Sequence, residues 1–188
     1  MAKVFPEYHG SHVAVIGDIM LDRYFYGDVS RISPEAPVPI VNVKREEQLP
    51  GGAANVAVNL SSLGASASLT GIVGDDNDGQ QLLTQLTSID VNCCFHSAGD
   101  TIVKTRVMGG QQQLLRMDFE ETFSSKEWPQ VWSAAQSFLP DAKVIVLSDY
   151  NKGTLSNCQK VIRYGMERDI PVIVDPKGTD FSKYTCAD

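Results

Sequence analysis

Apolar residues follow two rhythms along this chain, and the alternation between them sets the expected fold class. HVAVIGD (12–18), AKVIVLSD (142–149) and PVIVDPKG (171–178) are short, nearly continuous apolar runs that finish in polar or glycine residues. That is the pattern of strands covered on both faces in a parallel sheet. Between them, apolar positions recur at helical spacing. Val56, Leu60 and Leu63 mark a helix over 53–63, kept narrow by Ala54 and Ala57, and Leu82, Leu83 and Leu86 mark another over 78–89. Asp78 sits near the start of the second, where a negative charge suits the helix dipole. Further helices are expected over 127–139 and 155–169, and SASLTGIVG (66–74) is expected as a strand. Strands alternating with helices predict right-handed βαβ crossovers and an α/β sandwich around a mostly parallel sheet.

Two stretches break this rhythm. TIVKTRVM (101–108) and QQLLRMDF (112–119) have strand character and are joined through Gly109-Gly110 in hairpin fashion. Residues 22–47 hold Pro34, Pro37 and Pro39, several aromatics and extended pieces such as VPIVNVKR, which resemble edge strands. Together they predict a small β lid inserted after the first strand, with segments near 22–47 and 101–119. Exposed lid edges offer unpaired backbone to a second copy, so a homodimer through the lid is expected. The final YTCAD adds no strand or helix, which leads us to expect an open edge on the parallel sheet.

At 188 residues and 43% apolar content the chain fits one ordinary globular unit. Its net charge of −7 argues against a general nucleic-acid binder, which would show a basic stripe. Cys93, Cys94, Cys158 and Cys186 have neither zinc spacing nor the density of a secreted disulfide scaffold, so reduced thiols are expected. No apolar run approaches the roughly 20 residues of a spanning helix, and MAKVFPEYHGSH lacks the apolar core of a secretory leader. A cytoplasmic protein without membrane or nucleic-acid partners is the expectation. His9, His12 and His96 do not cluster, and no Ser-His-Asp or Cys-His arrangement is visible.

The candidate chemistry gathers at strand ends and in the lid. Asp18 and Asp22 bracket the exit of the first strand, at a spacing that lets both carboxylates face one cleft and accept sugar hydroxyls. The alternative is an aspartate that caps a turn. The glycine-bounded stretch GGAANVAVNLSSLGASASLTGIVG (51–74) tilts this toward ligand binding. Gly51 and Gly52 permit close backbone approach, and Asn55 near the helix start can present an amide to a hydroxyl or phosphate. Lys104 and Arg106 share one face of a strand and, with Arg31 and Arg116, form either a solvated basic patch or a phosphate-recognition surface. SDYNKG (148–153) and DPKG (175–178) close apolar strands, and ligands of open α/β sheets collect beyond strand carboxyl ends. Asp149, Lys152 and Lys177 are therefore candidates for phosphate or metal-water contacts, or else belong to ordinary loops. No G-x-G-x-x-G follows the first strand, which counts against a Rossmann dehydrogenase.

GDIMLDRYFYGDVSRISPEAPVPIV, LPGGAANVAVNLSSLGA, QQLLRMDFEE, LSDYNKG and VIVDPKGTDFSKY, which together span nearly the whole chain, resemble the ribokinase-like (PfkB) family of sugar kinases. Within it the closest resemblance is to the D-glycero-β-D-manno-heptose-7-phosphate kinases, the N-terminal modules of bifunctional heptose kinase/adenylyltransferases. The resemblance implies a ribokinase-like three-layer sandwich with a β lid. It also implies ATP and Mg2+ as cofactors, a sugar-phosphate substrate, and transfer to the anomeric 1-hydroxyl in the ADP-heptose route to lipopolysaccharide core. By motif, Asp18, Gly51, Gly52 and Asn55 would contact sugar, while Arg31, Lys104 and Arg106 would take the 7-phosphate or close the lid. Such kinases finish with a DTxGAGD-type segment whose last aspartate is the catalytic base. Residues 179–188 do not match it, so the expectation is the sugar-binding N-terminal portion (1–188) of a kinase domain, inactive alone and with the C-terminal part of the fold missing. The nucleotidyltransferase HxGH-type motif is likewise not found. A non-catalytic sugar-phosphate binding module, or a PfkB kinase for another sugar, is the alternative.

Overall fold

Residues 8–188 are described by a computed structural model; the N-terminal stretch tested for a secretory leader falls largely on residues 1–7, outside that range. In chain order the first elements are β1 (His12–Gly17), β2 (Ile19–Ile32), β3 (Pro39–Gly52) and α1 (Ala53–Ser62). They are followed by β4 (Ser66–Thr70), β5 (Ile72–Val73), α2 (Asn77–Thr87), β6 (Asn92–Cys93) and β7 (His96–Ser97). The remainder are β8 (Val103–Gly109), β9 (Gln112–Phe119), α3 (Trp128–Ala135), β10 (Val144–Ser148), α4 (Cys158–Met166) and β11 (Val172–Asp175).

β1 lies at the centre because both of its faces are apolar. Ala14 and Ile16 pack with Ile145 and Leu147 of β10 against Trp128 and Val131 of α3 and Val161 and Ile162 of α4. Val13 and Val15 face the other way, with Leu69 of β4, onto Ala53 and Ala57 of α1 and Leu82 and Leu86 of α2. Alternate residues of a strand point to opposite faces, so two helical layers sandwich the sheet. Its order is β11-β10-β1-β4-β6, with every pairing parallel. This is the expected three-layer α/β sandwich.

The lid segments form a second sheet, ordered β3-β2-β8-β9. β2 and β3 are each 14 residues long and pair antiparallel, with register shifts at Tyr26/Gly27 and Val29/Arg31. β8 joins β2 in parallel and carries β9 as a hairpin partner. Pro39 and Pro50 fall on β3, an edge of this sheet, where a missing N–H is tolerated. The strands begin earlier than the sequence suggested: β2 starts at Ile19, one residue beyond β1, and β3 runs through Gly51 and Gly52 to the start of α1. Asp18 is therefore the single residue between β1 of one sheet and β2 of the other.

Several boundaries differ from the apolar pattern. The 66–74 run is split at Gly71, where a Cβ would lie 2.3 Å from the Gly17 carbonyl oxygen. The helices expected over 127–139 and 155–169 are shorter, Trp128–Ala135 and Cys158–Met166, with turns at their ends. α2 is capped by Asp76, whose carboxylate accepts from the Gly79 N–H and from both the N–H and hydroxyl of Thr101 at the approach to β8. Burial pushes the Asp76 carboxyl up, but these bonds outweigh it and hold it below the ordinary value.

Candidate functional site

The carboxyl ends of β1, β10 and β11 form a rim, and the second sheet rises directly from it through Asp18. The Asp18 side chain is completely buried. One carboxylate oxygen accepts from the N–H groups of Tyr150 (2.8 Å) and Lys152 (3.0 Å), the other from that of Thr154 (3.2 Å). Its own N–H donates to the Ser148 carbonyl, and its carbonyl accepts from the Ala53 N–H. Every polar atom of Asp18 is thus engaged inside the protein, which corrects its reading as a sugar contact. It belongs instead to the turn-capping alternative, in an unusually complete form. Burial pushes its carboxyl above the ordinary value, against the pull of the Lys152, Thr154 and Tyr150 donors.

Asp22 is placed differently. Met20, Asp22 and Tyr24 share one face of β2, and Lys104 and Arg106 share that face of β8, since Asp22 lies opposite Lys104 and Tyr24 opposite Arg106. Arg106 Nη1 is 2.5 Å from Asp22 Oδ1, and the guanidinium lies over the Tyr24 ring. Burial disfavours the Arg106 charge, but the Asp22 carboxylate outweighs it and raises the guanidinium pKa. The other Asp22 oxygen lies beside Gly51, where a Cβ would come within 2.4 Å of it. Gly52 sits at φ +57°, and a Cβ there would lie 2.4 Å from the Asp18 carbonyl oxygen. The glycine pair thus accommodates the protein's own Asp18–Asp22 segment at the start of α1. Asn55, in the first turn of α1, is exposed, and its amide oxygen accepts from the Asn59 NH2.

The charged face continues to the rim. Lys104 Nζ contacts Asp118 Oδ2 at 3.2 Å and Glu120 Oε2 at 2.7 Å, and Lys152 Nζ contacts Glu120 Oε1 at 2.7 Å. Hydrogen bonds from Lys104 and then Lys152 hold Glu120 below the ordinary carboxylate range. Lys104 and Arg106 are therefore ion-paired on the strand rather than held free in solvent. Tyr150 is half-buried, with its phenol pKa raised by burial and by the nearby Asp175 and Asp22 carboxylates. Its side chain also packs against the apolar core on the α3–α4 side of the sheet.

The remaining candidates lie elsewhere. Arg31 is exposed near the far end of β2, nine residues beyond Asp22, or about 30 Å of extended strand. That separation removes it from this constellation. Asp149 is buried; it accepts from the Asn151 N–H, the Tyr184 hydroxyl and Lys183 Nζ. Burial, then the bond to Asp149, pushes the Tyr184 phenol up to about 12. Asp149 thus anchors residues 183–184, which corrects its reading as a contact for substrate or metal-bound water. Lys177 is exposed in the turn beyond β11. Among the described residues no three His, Cys, Asp or Glu side chains converge as a metal site. Asp22 and Asp118 on the lid sheet and Asp149 at the rim are each matched by cations, so these three carboxylates do not fit a resident Mg2+.

Sequence reasoning gave no role to Glu120, Tyr150 or Phe123. Glu120 and Tyr150 lie in the DFEE and SDYNKG motifs, yet nothing local marks their partners. Phe123 is buried; its N–H donates to the Lys152 carbonyl, and a Cβ on Gly153 would lie 2.2 Å from its carbonyl oxygen.

The carboxyl rim of the parallel sheet, joined to a second sheet bearing paired carboxylates and cations, places these polar groups where open α/β sheets collect ligands. The chain belongs to the pfkB family of carbohydrate kinases, whose family model matches residues 11–187. It is 50% identical over 182 residues to the bifunctional protein HldE of Coxiella burnetii, covering 96% of this chain and 38% of that protein. It is 46% identical over 186 residues to HldE of Vibrio cholerae, covering 98% and 39% respectively. The chain therefore spans well under half the length of these relatives. Among solved structures, a possible 1-phosphofructokinase of Thermotoga maritima superposes with a TM-score of 0.66 at 20% identity, covering 87% of this chain and 53% of that one. Arabidopsis thaliana ribokinase complexed with ribose and ATP gives 0.62 at 17% identity, covering 91% and 55%. At these identities the structural matches establish the fold.

Proposed function

We propose that this chain supplies the sugar-phosphate-binding part of a kinase that transfers the ATP γ-phosphoryl group to the 1-hydroxyl of D-glycero-β-D-manno-heptose 7-phosphate. The product would be the 1,7-bisphosphate, used in ADP-heptose synthesis. One observation carries the reading: Asp22, Gly51, Arg106 and Lys104 meet on the lid face that leans over the carboxyl rim. A carboxylate accepts sugar hydroxyls, and Lys and Arg donate charge-assisted bonds to a phosphate. The identity of 46–50% to proteins named HldE, held over almost the whole chain, supports heptose phosphate over other sugars.

In this reading the Asp22 carboxylate and Asn55 amide orient the sugar ring, and Lys104 and Arg106 bind its phosphate end. The sheet excludes water from the transferring group. Phosphoryl transfer depends mostly on such positioning and on charge neutralisation. Mg2+ would arrive coordinated to the nucleotide phosphates, its usual mode of binding, because Asp22, Asp118 and Asp149 are already paired. Calorimetric titration tests the assignment. Heptose 7-phosphate should bind at least about tenfold more tightly than ribose or fructose phosphates, a difference near 1.4 kcal/mol, and Asp22→Asn should erase that preference. Equal affinity for all these sugars would contradict it.

The opposite face of the same sheet supports a proposed homodimer. Phe25, Val107, Leu115, Met117 and Phe119 share it by register, and Leu115 and Phe119 are 52% and 59% exposed. A contiguous apolar surface of this kind favours self-association. Sedimentation velocity should show a dimer that Leu115→Asp converts to monomer. A wild-type monomer over a wide concentration range would contradict the proposal.

A further inference from the structure

Glu120 lies just beyond β9, on the segment that returns from the lid to the core at Phe123. Its two oxygens are held separately, one by Lys104 of the lid strand β8 and the other by Lys152 of the rim loop, each at 2.7 Å. The three side chains are only 16%, 29% and 19% exposed in the order Lys104, Glu120, Lys152. Two ammonium groups, one from the lid sheet and one from the rim loop, thus converge on one small anion, which is itself part of the chain. Phosphate offers pairs of oxygens at a spacing close to that of a carboxylate, and Lys is an effective point-charge partner for it.

Charge balance points the same way. On this face Lys104, Arg106, Arg116 and Lys152 are matched by Asp22, Asp118 and Glu120, leaving a surplus of one positive charge. Displacing Glu120 into solvent raises the surplus to two, the complement of a phosphate monoester carrying about −1.5 to −2 at neutral pH. The backbone of 150–154 is fixed beneath Lys152 by Asp18 and Phe123, so the rim half of this seat is already built. Glu120 is in an exposed segment and can swing away.

We propose that Glu120 is a built-in competitor for the ligand's phosphate: it occupies the Lys104–Lys152 seat when the site is empty, and the phosphoryl group displaces it on binding. The bound phosphate then replaces Glu120 as the link between lid and rim, so the two lysines favour only a phosphorylated ligand. An unphosphorylated sugar leaves Glu120 in place and gains nothing from the two lysines. This inference rests on the reading of the ligand as a sugar phosphate, but its test does not require heptose.

The probe is inorganic phosphate, titrated calorimetrically at constant ionic strength into the wild-type protein and into Glu120→Gln and Lys152→Met. Circular dichroism establishes that each variant is folded. Removing a competitor held by two partly exposed ion pairs should tighten phosphate binding roughly five- to tenfold in Glu120→Gln, and Lys152→Met should weaken it by a similar factor. If wild-type binding is too weak to measure, its emergence in Glu120→Gln supports the proposal. Equal or weaker phosphate affinity in Glu120→Gln, or no binding by either protein, overturns it and leaves Glu120 as a strut. Should Glu120→Gln bind phosphate more tightly while heptose 7-phosphate binds no better than other sugar phosphates, the heptose assignment fails and the competitor role stands.

Discussion

Replacing Asp18 with alanine should cost the protein roughly 3–9 kcal/mol, because three buried or part-buried N–H donors lose their acceptor at about 1–3 kcal/mol each. The donors belong to Tyr150, Lys152 and Thr154. A whole domain is stable by only about 5–15 kcal/mol, so urea unfolding should show a large fall in midpoint or no folded baseline. Asp18→Asn keeps the shape and one acceptor oxygen, and should fall between the two. The same carboxylate contributes a pH dependence. Its folded-state pKa is raised by burial above the ordinary 3.8, so between the two values the folded protein holds a proton that the unfolded chain has released. Its contribution is fully present below the ordinary value and is lost as pH rises through the raised one, a slope that Asp18→Asn should lack. A shift of under about 1 kcal/mol in Asp18→Ala, the worth of an ordinary exposed hydrogen bond, would show that loop 150–154 does not depend on this side chain.

Gly52→Ala is the second large effect. The residue adopts φ 57°, ψ −132°, a region essentially confined to glycine, and its added Cβ would meet the Asp18 carbonyl oxygen at 2.4 Å. That oxygen accepts the Ala53 N–H and so fixes the first turn of α1. Backbone strain and steric conflict together should cost roughly 3–5 kcal/mol. Gly110 provides the control: it also has positive φ, at 61°, but a Cβ added there would meet nothing within 4 Å. Gly110→Ala should therefore lose only about 1 kcal/mol, the cost of the left-handed conformation alone. Equal urea midpoints for the two variants would mean that the β3–α1 junction yields without penalty.

The parallel core was legible because β1 and β10 are buried by their own residues, and continuous apolar runs declare that locally; β11 has the same apolar run but lies at the sheet edge, with Ile173 50% exposed. The lid was legible through the prolines at 34, 37 and 39 and the glycine pair at 109–110. Strand lengths were not, since β2 gains its 14 residues by pairing with β3 and β8, and such pairing leaves little mark on either sequence. Gly71 ends β4 because Gly17 of a neighbouring strand passes within reach, a contact 54 residues away. The site was half legible for the same reason. Asp18 and Asp22 are equivalent in sequence, and what separates them is three backbone donors from residues 150–154, which fold beneath one and not the other. Lys104 and Arg106 were visible as charges on one face, but their carboxylate partners come from β2 and from beyond β9. Arg31 entered on charge alone, and the length of β2 carries it away.

The proposed ligand site is the cleft between the Asp22 face of the lid and the carboxyl rim of the parallel sheet. Hydrogen–deuterium exchange with and without saturating heptose 7-phosphate locates the ligand directly. Protection is expected together in 19–24, 47–55, 103–106 and 149–153, the segments that carry Asp22, Gly51, Asn55, Lys104, Arg106 and Lys152. Protection confined to the acidic groove on the other side of β2, around Asp76, Asp78 and Asp100, or no protection in the lid at all, would contradict it.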